Sequence, residues 1–135
     1  HYIYDKMGRL KQKHKPDGVV LHYSYDGLGR REALVSSDWS VYYTFKYDLH
    51  DNLIEIQDLT HKTFQKRNFD LWNRLLLEET PFHTLNYTYD SLDRLTNITL
   101  PDESTLRYIY GPFHLDKIQR YSSSNQFLYE IECSE

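Results

Sequence analysis

Tyr4-Asp5-Lys6-Met7-Gly8-Arg9-Leu10 decides how this chain reads, because its pattern returns along the whole sequence. An aromatic followed by an acid stands at Tyr4-Asp5, Tyr25-Asp26, Tyr47-Asp48, Phe69-Asp70 and Tyr89-Asp90, a period of about 21 residues. Degenerate copies continue the register at Tyr110-Gly111 and Ile131-Glu132. Two residues before these anchors stand Tyr2, Tyr23, Phe45, Arg67, Tyr87, Tyr108 and Tyr129. Only Arg67 is not aromatic, in a chain whose aromatic content is 16%. Chance does not produce that register.

The residues around each anchor specify a hairpin. Before it, apolar and polar residues alternate: Val19, Leu21, Tyr23 and Tyr25 fall on one face, and Val20, His22 and Ser24 on the other. Val41-Tyr43-Phe45-Tyr47 and Leu106-Tyr108-Tyr110 repeat the pattern. After the anchor comes a turn whose Asp can accept a hydrogen bond from the N–H two residues on. Its fourth position holds Gly8, Gly29, Asp51, Asn73 and Asp93, residue types that tolerate a left-handed backbone. Arg9, Arg30, Arg74 and Arg94 follow that corner in four blocks. They are expected to reach the Asp of an adjacent turn, to lie over a Tyr ring, or to be merely solvated.

Leu10, Leu53, Leu75 and Leu95 then open a second strand, with Arg31 as the exception. A second turn closes each block, at Lys15-Pro16-Asp17-Gly18, Ser36-Ser37-Asp38, Thr80-Pro81-Phe82-His83, Leu100-Pro101-Asp102-Glu103 and Ser122-Ser123-Ser124-Asn125. Asp58-Leu59-Thr60-His61 is the least turn-like of the set. The sixth block departs, because Pro112 and Phe113 are expected to lengthen or bulge its loop. The fold class is therefore all-β: one antiparallel array over 1–135, six hairpin repeats and the start of a seventh. Aromatic rings are expected to stack from block to block, each well-buried ring contributing about 1.5–3 kcal/mol. Arg67 interrupts that ladder, so the block around Phe69 should be weak or compensated by Phe64 and Trp72.

At this point the residues resemble the Rhs/YD-repeat family. Tyr4-Asp5-Lys6-Met7-Gly8-Arg9-Leu10 carries its Y-D-x-x-G-R-L signature, Tyr25-Asp26-Gly27-Leu28-Gly29-Arg30 nearly so, and Tyr89-Asp90-Ser91-Leu92-Asp93-Arg94-Leu95 is a close variant. Pro16-Asp17-Gly18 and Leu100-Pro101-Asp102 look like its inter-strand turn. The resemblance implies a spiral β-sheet wound into a hollow shell, as in Rhs polymorphic toxins and Tc toxins, where it encloses a toxic C-terminal part. A related barrel serves adhesion in teneurins. Neither a D-P-x-G-L core-ending motif nor an autoprotease segment is present, so an interior section of a longer shell is expected. The expected partners are the rest of that shell and an enclosed toxin cargo, in a secreted or cell-surface protein. The alternative is an extracellular recognition surface, teneurin-like or binding glycans through Trp39 and Trp72.

Composition narrows the remaining classes. The net charge is −4 with no basic stripe, so a nucleic-acid partner is not expected. Lys11-Gln12-Lys13-His14-Lys15 reads as a solvated strand face. No apolar run approaches the ~18 residues of a membrane helix, and His1-Tyr2-Ile3-Tyr4 does not resemble a signal peptide. The seven histidines lack metal-ligand spacing, Asp90 and Asp93 are both claimed by a turn, and Ser122-Ser123-Ser124 lacks a nucleophile's context. No catalytic residue, metal or cofactor is expected. Cys133 excludes an internal disulfide and should sit at a frayed end by Ser134-Glu135. Asn86-Tyr87-Thr88 and Asn97-Ile98-Thr99 are glycosylation sequons, meaningful only in a secreted eukaryotic protein. Unpaired edge strands should favour edge-to-edge self-association.

Overall fold

The computed structural model describes residues 1–133. These form thirteen strands: β1 (Tyr2–Tyr4), β2 (Leu10–His14), β3 (Val20–Tyr25), β4 (Arg31–Ser36), β5 (Tyr42–Tyr47), β6 (Leu53–Asp58), β7 (Thr63–Phe69), β8 (Leu75–Glu79), β9 (Thr84–Tyr89), β10 (Leu95–Thr99), β11 (Thr105–Tyr110), β12 (Leu115–Tyr121) and β13 (Phe127–Glu132). No helix occurs among the described residues. The expected all-β meander is the observed one.

The chain divides into two compact units, His1–Lys66 and Arg67–Glu135. In the first, β1 to β6 and the beginning of β7 pair antiparallel, each with its successor. In the second, β8 to β13 do the same. Five of the hairpins that follow an anchor slip register at one point. Tyr25 pairs with Arg31 while Ser24 pairs with Ala33, so Glu32 is bulged out. Lys11, Ile54, Thr96 and Asp116 are skipped in the same way. The bulge follows from a left-handed corner closing the turn, which adds a residue to the outgoing strand.

Neither unit has a hydrophobic core in the usual sense. Among the described residues no apolar side chain is fully buried; the buried ones are Ser36 and Ser104. Side chains are instead half-covered by their neighbours along a sheet face. Tyr23 faces Leu34 and Phe45 faces Ile56 in the first unit, and Tyr87 faces Ile98 and Tyr108 faces Ile118 in the second. Cross-strand pairs of this kind, rather than a sealed interior, are what holds such a sheet.

Three expectations need correction here. The rings do not stack on rings from block to block: successive blocks place them two strands, about 9.6 Å, apart, beyond the 4.5–7 Å of a ring pair. The intervening strand fills the gap with Leu, Ile or Arg. The sixth block's loop is shorter, not longer, with Gly111 to His114 between Tyr110 and Leu115 where Asp5 to Arg9 separate Tyr4 from Leu10. It is closed by the Gly111 N–H donating to the His114 carbonyl at 2.9 Å, and the expected bulge is present at Asp116, matching those at Lys11, Glu32, Ile54 and Thr96. A Cβ at Gly111 would lie 2.5 Å from the Asp116 carboxylate, so any other residue there would make the Asp116 side chain shift. Lastly, Cys133 is tied down, its N–H donating to the Asp116 carbonyl at 2.8 Å. Ser134 and Glu135 lie outside the described residues.

Candidate functional site

The feature that recurs with full chemistry is the Asp turn and its link to the next block. In the Asp26 turn the Gly29 N–H donates to the Asp26 carbonyl at 3.0 Å, and Gly29 takes φ +85°. One carboxylate oxygen of Asp26 accepts the N–H of Leu28 at 3.0 Å and of Arg30 at 2.9 Å. Its other oxygen accepts the Arg30 Nε–H at 2.8 Å. The Asp5, Asp70 and Asp90 turns repeat all three bonds, and the Asp48 turn uses Asn52 in place of Arg. Gly8, Asp51, Asn73 and Asp93 all take φ between +62° and +76°, as their residue types predicted.

These carboxylates are held below the ordinary range. For Asp5 and Asp90 the largest cause is the backbone N–H of the following Arg; for Asp26 and Asp48 it is the side chain of Arg30 or Asn52. At Asp70 burial pushes upward, and the Arg74 hydrogen bonds outweigh it. The converse holds for Arg30 and Arg74, whose charge is stabilised first by their own Asp.

Each arginine also reaches forward one block. Arg9 lies over Tyr25, Arg30 over Tyr47, Arg74 over Tyr89 and Arg94 over Tyr110, at 4.5, 4.8, 5.0 and 4.6 Å from the ring centroids. Arg30 bonds Asp51 at 2.7 Å and Arg74 bonds Asp93 at 2.8 Å, each the corner residue of the next turn. The anchor tyrosines reciprocate. The hydroxyl of Tyr25 donates to the Leu10 carbonyl at 2.8 Å, Tyr89 to Leu75 at 2.9 Å and Tyr110 to Leu95 at 2.9 Å. All four arginines thus lie over a Tyr ring, Arg30 and Arg74 also reach an Asp of the adjacent turn, and a third arrangement joins these: the paired backbone and side-chain bonds to the Asp of their own turn. Spacing reveals that the Arg trails its Asp at a fixed distance within the repeat, but not that the bulge folds the Arg back.

Arg67 does interrupt the ring row. Its compensation is neither Phe64 nor Trp72, which is 71% exposed, but an ion pair with Glu78 at 3.2 Å. Glu78 stands where the other blocks carry Leu34, Ile56 and Ile98, so aligning the second strands would have revealed the paired exchange. Five of the six second turns prove as demanding as the first, with Gly18, Trp39, Lys62, Glu103 and Asn125 left-handed; the turn at Thr80-Pro81-Phe82-His83 closes without such a residue, the Thr80 N–H donating to the His83 carbonyl at 2.9 Å. The weakest of them by sequence is a real turn, with Asp58 accepting the N–H groups of Thr60 and His61 at 3.0 Å.

In the second unit a groove of about 480 Å³ opens between consecutive Asp turns, lined by Trp72, Arg74, Tyr89, Asp90, Ser91 and Asp93. Among the described residues no group of three or more His, Cys, Asp or Glu is placed to hold a metal ion, and no helix is long and apolar enough to cross a membrane.

Residues 2–38 match the family model described as RHS Repeat. The fold is similar to that of the crystal structure of TcdB2-TccC3-Cdc42, with a TM-score of 0.65 and 13% identity over 97% of this chain and 9% of that one. The crystal structure of TcdB2-TccC3-TEV gives 0.63 and 14%, and a Photorhabdus luminescens Tc holotoxin pore 0.61 and 14%, with the same coverage. The chain thus spans about a tenth of the solved chains it matches. No curated protein matches it. The resemblance to Rhs repeats holds.

Proposed function

We propose that these Rhs-type repeats are one section of the wall of a toxin-associated shell, forming a single array whose repeats continue into those of a longer secreted protein. The wall acts sterically: unbroken strand pairing separates an enclosed polypeptide from solvent and from the host. No step of bond chemistry is assigned to these residues.

One observation carries this reading. The link between blocks, Arg over the next Tyr and Tyr hydroxyl to the preceding Leu carbonyl, joins Arg9 to Tyr25, Arg74 to Tyr89 and Arg94 to Tyr110, and its ring half joins Arg30 to Tyr47; among the five Asp turns only the step from Asn52 to Phe69 lacks it. Such a bond extends an array without a new interface, the nearest-neighbour logic of a repeat protein. With no sealed core of its own, the sheet is suited to a wall whose stability accumulates along its length. The solved Tc structures, of which this chain matches about a tenth by fold, favour a toxin context.

The test is electron microscopy and limited proteolysis of the full-length gene product. A closed cavity holding density, with an internal segment resistant to protease until the wall is opened, is the expected result. A solid or extended array with every segment equally cleavable would overturn the proposal.

A further inference from the structure

Asp followed by Gly occurs twice in the chain, at Asp17-Gly18 and Asp26-Gly27, both in the first unit. In this dipeptide an aspartate is most open to attack by its own backbone, because glycine puts no side chain beside the attacking nitrogen. Neither glycine is crowded by other residues: a Cβ on Gly18 or on Gly27 would meet nothing within 4 Å, and both residues are exposed. What differs is how each carboxylate is held.

Asp26 opens a turn that links two blocks. Its carboxylate is half-buried and accepts the N–H groups of Leu28 and Arg30 and the Arg30 Nε–H, at 3.0, 2.9 and 2.8 Å. The hydrogen bond from the Arg30 side chain is the largest cause holding it below the ordinary range, so its protonated, reactive form is depleted. Asp17 lies at an exposed second turn, where among the described residues its carboxylate accepts one bond, the Val19 N–H at 3.0 Å. The Gly18 N–H donates to the Lys15 carbonyl at 3.2 Å, at the long end of the range for such a bond. To be attacked, Asp17 gives up its Val19 bond and the Gly18 closure. Asp26 gives up three bonds, one of them an ion pair.

We propose that Asp17 is a site of spontaneous isoaspartate formation, and that the Asp26 turn protects the same dipeptide from it. The Gly18 nitrogen attacks the side-chain carbonyl carbon of Asp17. A C–N bond forms, the carboxyl C–O bond breaks, and the hydroxyl leaves with the amide proton as water, closing a five-membered succinimide. Water then adds to one of the two ring carbonyls. Addition at the former main-chain carbonyl breaks its bond to the Gly18 nitrogen and leaves that nitrogen joined through the side-chain carbonyl, with a free α-carboxylate beside it. Water is the only other reactant. The main chain gains one methylene between Asp17 and Gly18, so the Gly18 N–H no longer meets the Lys15 carbonyl and the turn between β2 and β3 opens. At Asp26 the bonds that orient Arg30 toward the next block also preserve the peptide.

The experiment ages the whole folded chain at neutral pH and physiological temperature for several weeks, beside a sample held in urea. Trypsin releases residues 14–30 as one peptide, because Lys15 precedes Pro16, and that peptide holds both aspartates. Electron-transfer fragmentation then distinguishes isoaspartate from aspartate at each position. In the folded chain, conversion at Asp17 should exceed that at Asp26 by about tenfold or more, the factor contributed by one charge-assisted hydrogen bond that must break first. In urea the two should convert at similar rates, since only the fold separates them. Hydrogen exchange on the aged chain should show Lys15, Gly18 and Val19 losing protection in step with conversion, while Leu28, Gly29 and Arg30 keep theirs. The proposal is overturned by the absence of isoaspartate at Asp17 in the folded chain, by equal conversion at Asp26, or by the same preference for Asp17 in urea. Any of these failures leaves the wall reading standing, since that rests on the links between blocks.

Discussion

The two kinds of turn in this molecule obey the same backbone demand and satisfy it with different freedom. After each anchor the sequence is nearly fixed: an Asp, a left-handed corner, then Arg, with Asn52 as the one substitute among the five. Five of the six second turns also go left-handed, yet at Gly18, Trp39, Lys62, Glu103 and Asn125, five different residue types. The difference lies in what each turn must do beyond closing. An Asp turn orients the guanidinium that caps the next block's tyrosine, so its Asp and Arg serve two hairpins at once. A second turn bonds mostly within itself, as when the Asp38 carboxylate accepts the N–H and hydroxyl of Ser40. A residue that serves two neighbours tolerates few alternatives.

The largest effect should come from acid. Folding lowers the carboxyls of Asp5, Asp26, Asp48, Asp70 and Asp90, and of Asp38, Asp58 and Asp102 in the second turns. Lowered values mean that the folded chain favours the charged form. The stability they contribute is therefore complete above the unfolded value of 3.8 and is lost as the pH falls through the folded values, down to about 2 for Asp38. Circular dichroism against pH should show a plateau above about pH 5 and cooperative loss of structure below about pH 4. To separate the two kinds of turn, Asp38, Asp58 and Asp102 can be replaced together by Asn. Most of the acid transition should survive, since the five Asp-turn carboxylates remain; its disappearance would reverse the comparison.

Next in size is the ring that receives the arginine. Tyr89→Ala removes a half-buried ring beneath Arg74 and should cost about 2–3 kcal/mol by urea unfolding. Phe82, equally aromatic but 84% exposed at a second turn, should cost no more than about 0.5 kcal/mol when changed to Ala. Similar costs at the two sites would mean that the ring, not the link, is what matters. Tyr89→Phe keeps the ring and removes only the hydrogen bond to the Leu75 carbonyl, for about 1 kcal/mol. A neutral result there would reduce the reciprocal half of the link to mere proximity.

Much of this organisation is legible in the sequence. A period of about 21 residues, residue types that tolerate positive φ and alternation before each anchor suffice for strands, turns and their order. What they do not reveal is anything set by the bulge. The bulge turns Arg30 back onto Asp26 and spaces the rings so that Arg and Ile, not other rings, fill the gaps. Partner exchange is legible only in pairs: Arg67 alone looks like a defect, and Arg67 with Glu78 is an exchange of one kind of cross-strand contact for another. The groove between the Asp70 and Asp90 turns has the weakest signal, because Trp72 differs from Leu28 only by side chain and its neighbours Ser91 and Asp93 come from the following turn. Reading it requires knowing that consecutive Asp turns lie side by side.

The smallest expected effect sharpens the comparison most, since it concerns a second turn that departs from its own backbone preference. Trp39 holds φ +61°, a conformation that costs a bulky residue about 1–2 kcal/mol and that Gly18 and Asn125 meet more easily at the matching position. Part of that cost is returned by the tilted contact of its ring with Tyr42, 5.9 Å between centroids. Trp39→Asn relieves the strain and forfeits the contact, worth about 0.5–1.5 kcal/mol, for a net gain of about 0.5 kcal/mol in thermal or urea unfolding. The same change at a linking corner, Gly29→Asn, should bring no gain. The corner there is already strain-free, and a Cβ would lie 3.4 Å from the Arg9 guanidinium that reaches in from the preceding block. If Trp39→Asn destabilises the chain instead, the Trp39–Tyr42 contact outweighs the strain, and the second turns are bound by side-chain partners as firmly as the Asp turns are.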